Sequence, residues 1–411
     1  MNHKFTRSSI NELIHYSLLY LLFIMNGSTI YRTYHDPFLC VILILSLVIV
    51  VTRKIKLPTD LKLYLVGMTV AVSVVFIIND GGIGISALLN FTVPVMFTYV
   101  LARLDQKFFL KRLVNVIVVM SAISLVYFII SLRYQTFLTL IMPFKFQILP
   151  WLNYYGDLFY VIRPQEINRN TGIFNEPGLY QMVLNLGLFL MLFFDNRLCF
   201  SKKKYRIGII VLMVTIITTF STSGYLGLTL IVGLFVLKEK NKSLVTTVIC
   251  ISAIIIFSIT LSGILETSNF IEEVVFSKLH NLTHTMVNGG TSGSYRIAAM
   301  KIASKMIISH PLGCGFDKLE TAMKDAGYIA YEGGTTATGA YLFRYIAIIG
   351  IVPGVASILW IFKRYKRSCK TCIVTIVAIL LFLNTTLAQT DLFFPALLVP
   401  MFMENGNKKN I

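Results

Sequence analysis

Charged residues are scarce in this chain: they make up 14% of 411 positions, where soluble domains carry about a quarter. Acidic residues are scarcer still, with 19 Asp and Glu against 37 Lys and Arg. Such a chain cannot clothe several soluble domains in polar surface, so its length is not read as two or three of them. Its net charge of +18 does not point to nucleic acid either. The positives fall in short clusters between apolar runs rather than on one basic face. Cysteines number six, and they offer no disulfide framework. Cys40 and Cys250 lie in apolar runs, and Cys199, Cys369 and Cys372 lie in or beside basic connections. The lone Cys369-Lys370-Thr371-Cys372 has no second ligand pair, so it reads as incidental. The first apolar run has a modest basic flank (Lys4, Arg7) and no small-residue cleavage site. It is therefore expected to stay as a helix.

Long apolar runs are abundant, with 56% hydrophobic residues and a mean hydropathy of +0.74. A membrane-spanning helix takes about 20 apolar residues, and about 12 candidates (10–12) are present. They are 11–30, 37–52, 62–79, 84–102, 113–132, 178–194, 207–221, 224–237, 243–263, 339–361, 371–388 and 390–403. The expectation is an all-α polytopic membrane protein, one integral domain over 1–411. Alternate connections hold most of the 37 Lys and Arg, for example Arg53/Lys54/Lys56 and Lys363/Arg364/Lys366/Arg367. The positive-inside rule puts these in the cytoplasm together with both termini.

Two long connections, 133–177 and 264–338, then face outwards, and long connections of this kind are usually functional. Only Cys314 among the cysteines falls in them. Within the second, Ser294 is placed to cap a helix from Tyr295 to Ser309, ended by His310-Pro311. Lys301 and Lys305 share one face of it, a pattern suited to a helix on the bilayer surface. No internal repeat of the transporter kind is visible.

Ionisable residues inside a membrane mark function by default, and the spans hold few: Arg344, with Asp391 and His15 near helix ends. This argues against an ion-coupled transporter. The outer connections are richer. Arg163, Glu166, Arg169 and Glu176 fall within a few residues of one another. Arg296 and Arg344 are the other arginines expected at the same surface. A guanidinium holds phosphate oxygens in two-point fashion, although any one arginine can equally be a headgroup anchor. Glu176 precedes Pro177-Gly178, where a helix N-terminus favours a carboxylate. It is either that or a base or arginine partner in a site. His310 is either a helix terminator or a proton acceptor for a sugar hydroxyl. His280 and His284 are four residues apart without a third ligand, so zinc is not expected there.

Three pieces of this sequence resemble the O-antigen polymerases of the Wzy type, within the O-antigen ligase/polymerase superfamily. They are Arg169-x-x-Gly172-Ile173-Phe174-x-Glu176-Pro177-Gly178, then Thr219-Phe220-Ser221-Thr222-Ser223-Gly224-Tyr225, then Ser292-Gly293-Ser294-Tyr295-Arg296 with His310-Pro311-Leu312-Gly313-x-Gly315. Together they span roughly residues 160–355. The resemblance implies a helical glycosyltransferase of the GT-C type in the bacterial cytoplasmic (inner) membrane. It would join undecaprenyl-pyrophosphate-linked oligosaccharide units on the outer face. No metal, cofactor or nucleic acid is implied. Membrane lipids and a chain-length regulator are the further partners it suggests. In that reading Arg169 and Arg296 hold the departing pyrophosphate, with Arg163 and Arg344 as second choices. Glu176 or His310 takes the acceptor proton, and Tyr331 and Glu332 contact sugar. Ligases of the superfamily usually carry a His-Asn pair where this chain has Thr338-Gly339-Ala340-Tyr341, which favours polymerase over ligase. A flippase would instead predict short connections on both sides.

Overall fold

The computed structural model describes residues 7–79, 84–149, 152–163, 169–238, 292–326, 340–369, 371–388 and 393–403. The first half runs α1 (Arg7–Ile24), α2 (Thr29–Thr33), α3 (His35–Thr52), α4 (Thr59–Ile78), α5 (Ile85–Leu104) and α6 (Phe109–Ile141). A small sheet follows, β1 (Phe144–Leu149), β2 (Leu152–Gly156) and β3 (Val161–Ile162), antiparallel in sequence order. Next come α7 (Pro177–Phe193), α8 (Asp195–Leu198), α9 (Lys202–Thr218) and α10 (Thr222–Lys238). The described remainder is α11 (Ser292–Ser309), α12 (Gly315–Asp325), α13 (Tyr341–Ile349), α14 (Ile351–Ser368), α15 (Cys372–Ala388) and α16 (Pro395–Phe402).

Apolar composition alone does not say which helix is central, because lipid and protein interior accept the same residues. Burial does. Every residue of α7 is buried, from Pro177 to Phe193. It packs on α6, α9, α10 and α16. In contrast α3 and α4 turn Val41, Ile44, Val48, Val51, Leu63, Val66 and Val70 outwards, as helices hydrophobic all round do at a lipid boundary. Among the described residues four helices, α3 to α6, are each long and apolar enough to cross a membrane alone.

The expected apolar runs are helical at most described positions, and four of them depart from a single straight helix. The first, 11–30, is two helices, α1 and α2, parted by Met25–Ser28. The span 113–132 is part of α6, whose 33 residues bend at Tyr134 (φ −126°, ψ 40°) and continue to Ile141. At 1.5 Å per residue this is about 50 Å, against a hydrocarbon core of about 30 Å, so the 133–177 connection starts as helix. The span 339–361 is two helices, α13 and α14, broken at Gly350. The described part of 390–403 is the eight-residue α16, too short to cross alone. The helix expected from Tyr295 begins at Ser292, and its Ala298, Ala299 and Ala303 are buried, the helix packing on α12 and α13, while Lys301 and Lys305 stay exposed. Only one side of it is therefore left to meet a surface. The expected span 243–263 lies outside the described residues.

Side-chain pairs at the two ends show how α4 and α14 run. Asp60, in the first turn of α4, pairs with Arg364 and, at 3.4 Å, with Arg367 near the end of α14. Asn79, capping the far end of α4, donates to Gly313 O at 3.1 Å. Gly313 in turn packs against Gly350, where α14 begins. The two helices are antiparallel, and the His310–Gly315 turn sits at the end away from the basic connections. At that basic end, Tyr99 of α5 donates to Lys56 O. Arg112 of α6 gathers Asp105, His15 and Glu12.

Candidate active site

The run Arg169–Gly178 folds as an edge between the sheet and α7. Val161 N donates to Gly172 O at 2.7 Å, and Thr171 Oγ1 donates to Val161 O at 2.8 Å. On its other side Thr29 N donates to Ile173 O, and Ser28 bridges Phe174. The turn at Gly172 has φ +55°, the left-handed region that glycine adopts without strain. An added Cβ there would stand 2.9 Å from the Tyr180 ring. Tyr180 stacks on Phe174 and bonds Ser124 of α6 at 2.7 Å. The motif glycine is thus required by both backbone angle and ring contact.

Arg169 itself reaches the end of α9. Its Nε donates to Thr219 O at 3.2 Å and its Nη2 to Phe220 O at 3.1 Å. Asn170 reinforces the same junction. Its backbone N donates to Thr218 O at 2.8 Å, and its Nδ2 reaches Thr218 Oγ1 and Ser124 Oγ. The last carbonyls of a helix have no partner within the helix, and a cation there is favoured by the helix dipole. Phe220 has φ +46°, so α9 ends in a sharp turn through Ser221 before α10 starts. Arg169 therefore locks the first sequence motif onto the second.

A buried polar row extends from this junction into α7. Gln181 donates to Gly178 O and to Ser223 Oγ, and Asn185 donates to Gln181 Oε1 and Gly224 O. Asn384 of α15 closes the row on Ser223 O. These residues are neutral, so no charge in the sequence marks them. Their signal was Gln181 and Asn185, one helical turn apart on an otherwise apolar helix.

Glu176 is the N-cap residue of α7 in extended geometry, and its side chain makes no capping bond. Its backbone carbonyl accepts from Leu179 and Tyr180. The helix start explains its place in the chain, while the carboxylate is only part-buried. Arg163 directly follows β3 and is part-buried.

The third motif is assembled at a different anchor. His310 follows the last residue of α11, with its N donating to Met306 O and its Nδ1 2.9 Å from Ser309 Oγ. The turn after it is tied to the α13–α14 break by Cys314 N to Ala347 O and Ile351 N to Pro311 O. Arg344 lies on α13, part-buried. Arg296 lies in the second turn of α11. The structure thus joins Arg169 to the α9–α10 turn and its neighbour Asn170 to α6 and α9, while the turn after His310 is joined to α4, α13 and α14. Glu166, His280, His284, Tyr331, Glu332 and Asp391 lie outside the described residues.

Cys314 is buried in that turn, and burial pushes its thiol up to about 11. At pH 7.5 it is protonated and covered, so iodoacetamide labels exposed Cys199 and Cys372 while Cys314 stays unmodified until the protein is denatured. Mass spectrometry of the labelled peptides checks this.

Residues 207–343 match the family model described as O-antigen ligase. The matched stretch is a third of the chain and contains the second and third motifs. It supports the ligase/polymerase superfamily and a glycosyltransferase-like membrane enzyme of that class. Arg169 and Glu176 fall outside it, yet Arg169 is bonded directly to Thr219 and Phe220 inside it. No curated protein and no solved structure matches the chain.

Proposed function

We propose that this protein is a polysaccharide polymerase of the bacterial cytoplasmic membrane, joining lipid-linked oligosaccharide repeat units, of O-antigen or capsule, on the outer face with both termini inside. The observation that carries this is the lock between Arg169 and the α9–α10 turn within the matched stretch. It places an arginine at a helix junction that the superfamily match covers. The donor is the growing chain on undecaprenyl pyrophosphate. The acceptor is a hydroxyl of the non-reducing-end sugar of a new lipid-linked unit.

In the transfer, the bond from the anomeric carbon to the pyrophosphate oxygen breaks, and the acceptor oxygen bonds to that carbon. Negative charge develops on the departing pyrophosphate, and Arg169 and Arg296 neutralise it, with Arg163 and Arg344 supporting. The acceptor proton passes to Glu176 or His310, and general-base help of this kind contributes roughly 10²–10⁴-fold. Tyr331 and Glu332 contact sugar. The energy is in the pyrophosphate linkage, so the reaction calls for no metal and no other cofactor. A chain-length regulator is a candidate partner.

The matching family's description favours a second reading, ligase transfer of glycan to a lipid core. A glycan gel of a deletion strain separates the two. Surface glycan capped with a single repeat unit supports polymerase, and bare core supports ligase. Full activity in Glu176→Gln with loss in His310→Ala assigns the base to His310, and the reverse assigns it to Glu176.

A further inference from the structure

A small cavity inside the bundle lies between α7 and α15, lined by Gln181, Asn185, Tyr365, Leu381, Asn384 and Thr385. It has room for about one water molecule. Asn185 is 2% exposed. Both of its amide partners are acceptors, Gln181 Oε1 at 2.7 Å and Gly224 O at 3.2 Å. Turning the amide over would face its oxygen towards two other oxygens, so these bonds fix its orientation. Asn185 Oδ1 is then buried with no hydrogen-bond donor from the protein. In an apolar bundle such a carbonyl is costly to leave unmet. No lining residue is charged, so the wall offers no counter-charge for an ion and suits a neutral occupant.

We propose that the cavity is a binding site for a single water molecule, which donates to Asn185 Oδ1 and ties α7 to α15. Water fits the size, and its second hydrogen and two lone pairs suit the amide and hydroxyl groups of Asn384 and Thr385 at the wall. The bond chain Asn384–Ser223–Gln181–Asn185 surrounds the start of α10. The water closes that chain and fixes the turn on which Arg169 rests. The site stands whether or not the polymerase reading holds.

A map of the full chain in lipid nanodiscs, at a resolution where ordered waters appear, tests this directly. A peak roughly 2.7–3.2 Å from Asn185 Oδ1 is expected. A featureless cavity, or lipid density in it, overturns the proposal. Ala378, 3% exposed, also lines the cavity and gives a second test. Ala378→Val displaces a bound water and is expected to lower Tm by about 2–4 °C, whereas Ala378→Ser replaces part of the water's bonding and keeps Tm. In a dry cavity the order reverses, because added apolar volume stabilises, and that result overturns the proposal.

Discussion

Arg169→Lys is expected to lose chain growth almost as fully as Arg169→Ala. The guanidinium is a planar fork that meets two carbonyl oxygens one residue apart, Thr219 O and Phe220 O. Lysine offers a compact point charge and cannot reproduce that two-point contact. Each bond from a charged donor contributes about 1.5–3 kcal/mol, so losing the pair loosens the α9–α10 turn without unfolding the bundle. Losing the planar donor fork at the departing pyrophosphate in Arg169→Lys, and the charge as well in Arg169→Ala, costs activity about 10²–10³-fold, as removal of one transition-state donor does. Activity per folded protein in membrane vesicles, beside a glycan gel, separates the two effects. If the activity loss only tracks the loss of folded protein, Arg169 is a helix-end clamp and nothing more. Normal chain lengths in the Arg169→Ala, Arg296→Ala double variant would sink the site assignment altogether.

Gly313→Ala is expected to cost about 3–5 kcal/mol of stability, at the upper end for a single substitution. Gly313 has φ +106°, which an L side chain rarely adopts. Its added Cβ would stand 2.7 Å from Ile348 O, 2.8 Å from Val75 Cγ2 and 2.9 Å from Gly350 N. Two of these three are backbone atoms, held by the α13–α14 break, and cannot swing aside. Gly350→Ala presses on the same contact from the other side, where Cβ would stand 2.7 Å from Leu312 C. The two substitutions damage one joint, so the double variant is expected to be no worse than about the sum of one and a small remainder. Thermal unfolding in detergent measures each. Additive losses would show that the two glycines act separately.

Much of the helical layout was legible because a membrane helix announces itself by length and apolarity. The spans 37–52, 62–79, 84–102 and 178–194 lie within a few residues of α3, α4, α5 and α7. The break at Gly350 was not legible, since Ile346–Val352 is as apolar as any span. What stops the helix is the turn Pro311–Cys314 bonding its backbone from far along the chain. The length of α6 was missed for a related reason: its last turns are partly polar, Arg133 to Thr136, and a hydropathy reading ends there. The motif residues were found as charges and glycines in order along the chain, but their partners were not. Nothing in Arg169-Asn170 names Thr218–Phe220 as the place they bind.

By itself the sequence determined a membrane protein of many helices, the alternation of basic connections with less basic ones, and the positions of its motif residues. These follow from local composition, which lipid reads residue by residue. Only the tertiary structure decided that α7 is buried along its whole length, that Arg169 closes the end of α9, and that the turn after His310 belongs to the α4–α13–α14 joint. Those are outcomes of packing and of hydrogen bonds between distant segments. In an apolar interior each polar group must find a partner, and which partner it finds depends on how the helices meet.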